Sequence, residues 1–151
     1  IDTSYDARNK RLKKRESSIE SCIKNLIQPQ CNVSTERRVE KDSRDITDAD
    51  REKLAKAIDS SPHENIVVTH GTFTMRDTAQ FLEKRKFENK KIILTGSMIP
   101  LTGFTTSDAG FNLGYATASF SSIEGGVYLS MNGGIFKSSE VEKNKELFRF
   151  E

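Results

Sequence analysis

A chain of 151 residues with 34% hydrophobic side chains is long enough for one domain with a real core. Its 24 basic and 22 acidic side chains nearly cancel, so net charge supplies no argument for a nucleic-acid or membrane partner. No apolar run has the length of a membrane span or the form of a signal sequence, and two cysteines make neither a disulfide framework nor a metal site.

The first segment, Ile1 to Glu16, is polar and reads as a loop. Its basic run, Lys10 to Arg15, has no interleaved aromatic residue and reads as an exposed loop rather than a phosphate-binding arm. Ser17 and Ser18 can cap a helix that carries Ile19, Cys22, Ile23, Leu26 and Ile27 on one face and stops at Pro29. Weak alternation from Cys31 to Glu40 suggests an edge-like strand. Both cysteines have apolar neighbours, which suits reduced, buried thiols and a cytoplasmic protein. Thr47 has the form of an N-cap, with Asp48 and Asp50 in a first turn whose dipole favours anions. Leu54, Ala57 and Ile58 supply that helix's apolar face, and Ser60-Ser61-Pro62 ends it.

Asn65 to Thr69 is a short, continuous apolar run of the kind found in strands covered on both faces. A helical pattern with Ala79, Phe81 and Leu82 follows His70-Gly71-Thr72. Lys91 to Thr95 is a second such strand, and Gly126 to Met131 a third. Between them, a helix rich in small residues begins near Ser107-Asp108 and runs toward Phe120. Met131 to Gly134 is a turn, and Glu140 to Phe148 is expected to be a final helix. Strands alternating with helices at these spacings predict an α/β fold. The expected form is an open parallel sheet with helices on both faces, a three-layer sandwich of the Rossmann or flavodoxin kind.

In such sheets, ligands bind beyond the carboxyl ends of the strands. Those ends are His70-Gly71-Thr72, Thr95-Gly96-Ser97 and Ser130-Met131-Asn132, all small or polar. Gly71 permits close backbone approach, and amides near Thr72 and Thr74 open a helix, where an oxyanion is favoured. A threonine hydroxyl there can act as nucleophile or water-positioner if a base lies within reach. Lys143, just past the third strand, can supply that base if desolvation lowers its pKa, although from spacing alone a surface lysine is the favoured reading, by roughly five to one. His70 reads as a buried histidine fixing the loop through its ring nitrogens. No residue cluster has metal-ligand spacing, and no glycine-rich phosphate loop follows a strand, which disfavours a nucleotide ligand.

The run Val67 to Met75, with Thr69-His70-Gly71-Thr72-Phe73-Thr74-Met75 at its end, resembles the L-asparaginase signature T-H-G-T-D-T-M. Ile93 to Pro100 is similar to that family's L-T-G-A-M-R-P loop, and Thr106 to Leu113 to its S-S-D-G-P-x-N-L segment. Asp42 to Ile46 resembles D-S-S-D-M, and Val127 to Asn132 the V-x-V-x-M-N strand. The resemblance implies a cofactor-free and metal-free amidohydrolase that hydrolyses asparagine, or a related small-molecule side-chain amide, by threonine-based acyl transfer. It places Thr72 where water is activated or oriented, and Lys143, twelve residues after Met131, at the proton-relaying lysine. Ser43, with Arg44 beside it, falls at the α-carboxylate position. Gly71 and Ser97 fall at backbone ligand contacts, and Tyr5 at a mobile-loop tyrosine. A homo-oligomer in which neighbouring subunits complete each site is also implied.

The sequence departs from the pattern at Phe73, which stands where the family's aspartate binds the substrate ammonium and polarises the lysine. Phenylalanine can neither accept a hydrogen bond nor pair a charge. Three consequences are open: altered substrate choice, replacement by another acid such as Asp42 or Asp108, or impaired activity. The last would leave a non-catalytic small-molecule binding domain on the same scaffold. The family's nucleophile lies on a first strand ending Gly-Gly-Thr-Ile, and a smaller α/β domain follows this one in full-length members. The resemblance thus implies the amino-terminal domain, with an upstream strand expected outside the chain and a second domain expected too, unless the chain belongs to a single-domain branch.

Overall fold

The computed structural model describes residues 3–6, 11–14, 18–101 and 106–151. A hairpin of β1 (Thr3–Asp6) and β2 (Arg11–Lys14) opens it, with Tyr5 opposite Leu12, where the sequence predicts a loop. Helix α1 (Ser18–Cys22) runs into a π-helical turn, Ile23–Ile27, and buries Ile19. The segment that follows, up to residue 42, forms no strand. Cys31 is exposed and Cys22 half-buried, so the expected edge strand and buried thiols are both corrected. Alternation there is too weak, and its side chains too polar, to repay pairing with a sheet.

Helix α2 (Asp48–Ser60) begins at a complete capping box. The Asp50 backbone N–H donates to Thr47 Oγ1 at 3.3 Å, and Asp50 Oδ2 accepts from the Thr47 backbone at 3.0 Å. Lys41 Nζ reaches the same carboxylate at 2.7 Å. That hydrogen bond and those from Thr47 hold the Asp50 pKa well below the usual carboxylate range. The box thus ties the 41–47 segment to the helix it precedes.

The central sheet runs β3 (Asn65–Thr69), β4 (Lys91–Thr95), β5 (Gly126–Met131), β6 (Gly134–Lys137). The first three are parallel and in register from Asn65 opposite Lys91 and Lys91 opposite Gly126. β6 is an antiparallel addition. Asn132 and Gly133, both at positive φ (55° and 76°), make the two-residue turn whose twist joins antiparallel strands. That turn converts the expected all-parallel sheet into a mixed one.

Period-two burial divides the sheet. Ile92 and Leu94, with Val127, Leu129 and Met131, join Ala55 and Ile58 of α2 and Met75, Ala79 and Leu82 of α3 (Met75–Glu83) in one core. Helix α4 (Ala109–Ser119) contacts β4, β5 and β6 yet contributes nothing to that core, so it covers the other face. β4 is buried almost throughout, whereas Ile66 to Thr69 of β3 are only half-buried. The reason is position: among the described residues β3 is the sheet's edge. A hollow of about 1020 Å³ flanks it, lined by Ile66 and Val68 of β3 and by Leu113 and Thr117 of α4 among others.

The chain's end is not the expected helix. β7 (Lys143–Asn144) pairs with β8 (Arg149–Phe150), and the backbones of Glu142 and Glu151 exchange hydrogen bonds of 2.7 and 2.9 Å. Val141 and Phe150 enter the core, while Asn144 Oδ1 accepts from the backbones of Glu146 and Leu147 at 3.0 Å each. An asparagine that satisfies its own turn, with two buried anchors flanking it, outweighs helical spacing. Among the described residues no helix is long and apolar enough to cross a membrane, and no group of three or more His, Cys, Asp or Glu could hold a metal ion.

Thr47→Ala removes the side-chain half of the capping box and should cost about 1 kcal/mol of stability. A urea midpoint unchanged from the parent would show that the box carries no weight.

Candidate functional site

Two glycines let the end of β3 approach the end of β4 on one side and the 43–45 turn on the other. A methyl on Gly96 would collide with the His70 carbonyl oxygen and with the end of Met75, close to the Thr72 methyl. One on Gly71 would meet the Ser43 side chain. Thr74 Oγ1 donates to the Ser43 carbonyl at 2.5 Å, which draws the short 3-10 turn Ser43–Asp45 over the start of α3. Since that hydroxyl is spent on Ser43, α3 has no side-chain cap, and its first amides are left for a ligand's oxygen.

Behind this loop is a chain of hydrogen bonds. Arg51 Nε donates to Thr78 Oγ1 at 3.1 Å, and Thr78 Oγ1 lies 2.9 Å from His70 Nε2. His70 Nδ1 lies 2.7 Å from the Gly71 carbonyl. The arginine makes the hydroxyl an acceptor on one side, so its proton points to Nε2. Nδ1 then carries the ring proton and donates to Gly71. His70 is buried, and burial pushes its pKa below the ordinary 6.5 despite the opposing pull of the Gly71 carbonyl. It is a neutral strut of the loop.

The hairpin β7–β8 supplies the other half of the site. Anchored by Val141 and Phe150, it sets Lys143 Nζ 2.7 Å from Thr72 Oγ1 across 71 residues of sequence. Lys143 is half-buried; desolvation first, then the charge of Lys145, lowers its pKa. Its ammonium stands 4.7 Å from the centre of the Phe73 ring, and the Arg44 guanidinium stands 5.0 Å from the same centre. Arg44 also grips Asp42 through Nε and NH2 at 3.0 and 2.8 Å. That side-chain hydrogen bonding lowers the Asp42 pKa.

The structure therefore brings Ser43, Arg44, Gly71, Thr72, Phe73 and Lys143 together. Ser43 is buried against Gly71, whereas Arg44 and Phe73 are exposed. Ser97 follows Gly96 directly, and its buried hydroxyl has no partner among the described residues. Tyr5 lies in β1, and its side chain falls outside the described residues. Asp108 is no substitute for a missing acid. Its oxygens accept from the backbones of Met98 and Ile99, at 3.0 and 2.9 Å, and from Asn112 Nδ2 at 2.9 Å. The sequence reading gave Asn112 no role. Fully buried, it donates to the Gly96 carbonyl at 3.0 Å and accepts from the Asn132 backbone at 2.9 Å, tying two strand ends together. The four-residue spacing of Asp108 and Asn112, one turn apart on α4, was the available signal.

A family model described as Asparaginase, N-terminal matches residues 1–147. The glutaminase-asparaginase of Acinetobacter glutaminasificans is 37% identical over 74% of this chain and 36% of its own length. Among solved structures, a probable cytoplasmic L-asparaginase from Campylobacter jejuni is 30% identical, with TM-score 0.77, over 87% of this chain and 44% of that one. The thermostable L-asparaginase of Thermococcus kodakarensis, 24% identical with TM-score 0.84, covers the whole of this chain and 47% of its own, and shows the fold. The chain thus spans less than half the length of these proteins.

A histidine held neutral in the fold but titrating freely when unfolded makes the unfolded state bind the extra proton in acid. The His70 contribution is whole above the ordinary 6.5 and is lost as pH falls below it toward the lowered folded value. Thermal stability should therefore drop as pH falls through the ordinary histidine value of 6.5, and His70→Phe should reduce that pH dependence while lowering stability at neutral pH. Equal steepness in parent and variant would count against this account.

Proposed function

Because the chain belongs to the asparaginase family, we propose that it carries the Thr72–Lys143 pair of an amidohydrolase. This enzyme acts on the side-chain amide of asparagine or a related small molecule and releases ammonia. The observation that supports this most is the 2.7 Å contact between Lys143 Nζ and Thr72 Oγ1. When uncharged, the amine accepts the threonine proton, and the hydroxyl so polarised orients water for attack on an acyl carbon. The lowered pKa of Lys143 favours the uncharged form. The uncapped amides at the start of α3 are suited to the oxyanion that forms as the carbonyl is attacked.

The same reading assigns the acyl-transfer nucleophile to a strand ending Gly-Gly-Thr. The unpaired edge of β3 and the hollow beside it support a parallel strand there, whose carboxyl end would face Thr72. Ser43 and Arg44 would receive the substrate carboxylate, with Gly71 and Ser97 contributing backbone contacts and Tyr5 covering the site. Copies of the chain completing one another's sites belong to this reading too, as does a cytoplasmic location. The exposed rings of Phe111 and Phe148 offer apolar surface for such a contact.

A second reading, a non-catalytic small-molecule binding domain, is favoured by Phe73 alone. Ammonia release by the full protein carrying this chain decides between them. Thr72→Ala and Lys143→Ala should each lower the rate by about 10²-fold or more while the fold persists. Parental rates in both variants would remove the pair from the chemistry, and no turnover of any amide by the parent would favour the second reading.

The pH profile offers a further check. Activity should rise with pH through a lysine pKa lowered by desolvation and by Lys145. Lys145→Gln removes the like charge, so the Lys143 pKa should rise and the ascending limb move to higher pH. A shift to lower pH would contradict the assignment of Lys143 as base.

A further inference from the structure

The charge around Phe73 is one-sided. Lys143 and Arg44 each place a cation about 5 Å or less from its ring centre. The carboxylate that the structure places against Arg44, Asp42, is held by it through two nitrogens. Lys143 makes no ion pair among the described residues, and both influences on its pKa, desolvation and Lys145, are those of a cation without a counterion. Phe73 itself is 63% exposed at the mouth of the site, so its ring faces whatever enters.

Among the described residues, a substrate ammonium beside Lys143 would find no free carboxylate, since Asp42 is already held by Arg44. An aromatic face can attract a cation, but this ring already has the Arg44 guanidinium and the Lys143 nitrogen against it, and whenever Lys143 is protonated it repels another cation. A carboxylate is differently placed. Arg44 uses Nε and one terminal nitrogen on Asp42, which leaves its other terminal nitrogen to donate to an incoming anion. The local chemistry thus favours a substrate with one carboxylate, one amide and no positive charge.

We infer that Phe73 makes this site selective for the monoamides of short dicarboxylic acids, of which succinamate is the simplest test, over the zwitterionic amino-acid amides. The inference rests on the amidohydrolase reading for its chemistry and on the charges around Phe73 for its selectivity. In the reaction, the oxygen of water bonds to the amide carbon and the carbon–nitrogen bond breaks. The nitrogen leaves with a proton as ammonia. The carboxylic acid gives up its proton to that ammonia, so succinamate and water yield succinate and ammonium. No redox partner or further co-reactant is needed.

Phe73 is a specificity-determining residue here, and its exposure makes it replaceable without disturbing the core. The test compares kcat/KM for succinamate and asparagine in the full protein, alongside calorimetric binding of each amide to the Thr72→Ala variant. The parent should prefer succinamate by about tenfold or more, in binding and in turnover. Phe73→Asp, which restores a carboxylate next to Lys143, should reverse the preference; Phe73→Leu, neutral like the parent, should keep it. Asparagine favoured by the parent, equal use of both amides, binding of neither, or a reversal by Phe73→Leu would each overturn the inference. If succinamate binds more tightly but neither amide is hydrolysed, selectivity stands and the hydrolase reading fails.

Discussion

Strand ends and the turn beside them can deliver chemistry to one point only if they approach within van der Waals contact, and here that approach depends on the absence of two Cβ atoms, at Gly96 between the strands and at Gly71 beside the turn. With Gly96 pressed against the His70 carbonyl and Gly71 against Ser43, the loops after β4 and β3 close on each other and Thr72 lies at their junction. A side chain at either position would force the backbones apart, and the Lys143 hydrogen bond to Thr72 would lengthen or break. The surrounding interactions hold that junction. His70 fixes the Gly71 carbonyl, Thr74 draws in Ser43, and Asn112 joins the Gly96 carbonyl to the backbone of Asn132. Each is a polar group whose partner is backbone, so each fixes chain path rather than merely filling space.

The reactive pair is then a product of distant parts of the chain. Thr72 is positioned by β3 and α3, and Lys143 by a small hairpin whose Val141 and Phe150 are buried in the same core that α3 caps. The packing of those two anchors thereby fixes where the lysine between them points. The hairpin's own hydrogen bonds are few, and without those two apolar anchors nothing local would oblige Lys143 to face Thr72.

Much of this was legible from residue order. The three strands NIVVT, KIILT and GVYLSM announce themselves as continuous apolar runs, and Thr47 announces the start of α2 by capping chemistry that is wholly local. Six of the eight residues that the family resemblance singled out, Ser43, Arg44, Gly71, Thr72, Phe73 and Lys143, lie together. The misreadings have local signals that were outweighed or passed over. Glu140 to Phe148 has helical spacing, but its apolar residues Leu147 and Phe148 end up exposed while Val141 and Phe150 are buried. Asn132-Gly133 is a hairpin signal, and β6 is its consequence.

Sequence by itself determined the family, the α/β alternation, the Thr47 cap of α2 and the replacement of a carboxylate by Phe73, because each is written in contiguous residues or short spacings. Only the tertiary structure decided that Lys143 meets Thr72, that Asp108 is spent on backbone amides, and that two cations flank the Phe73 ring. These are distances between segments far apart in the chain. They are set by how apolar anchors and buried polar groups share one core, and no local propensity encodes them.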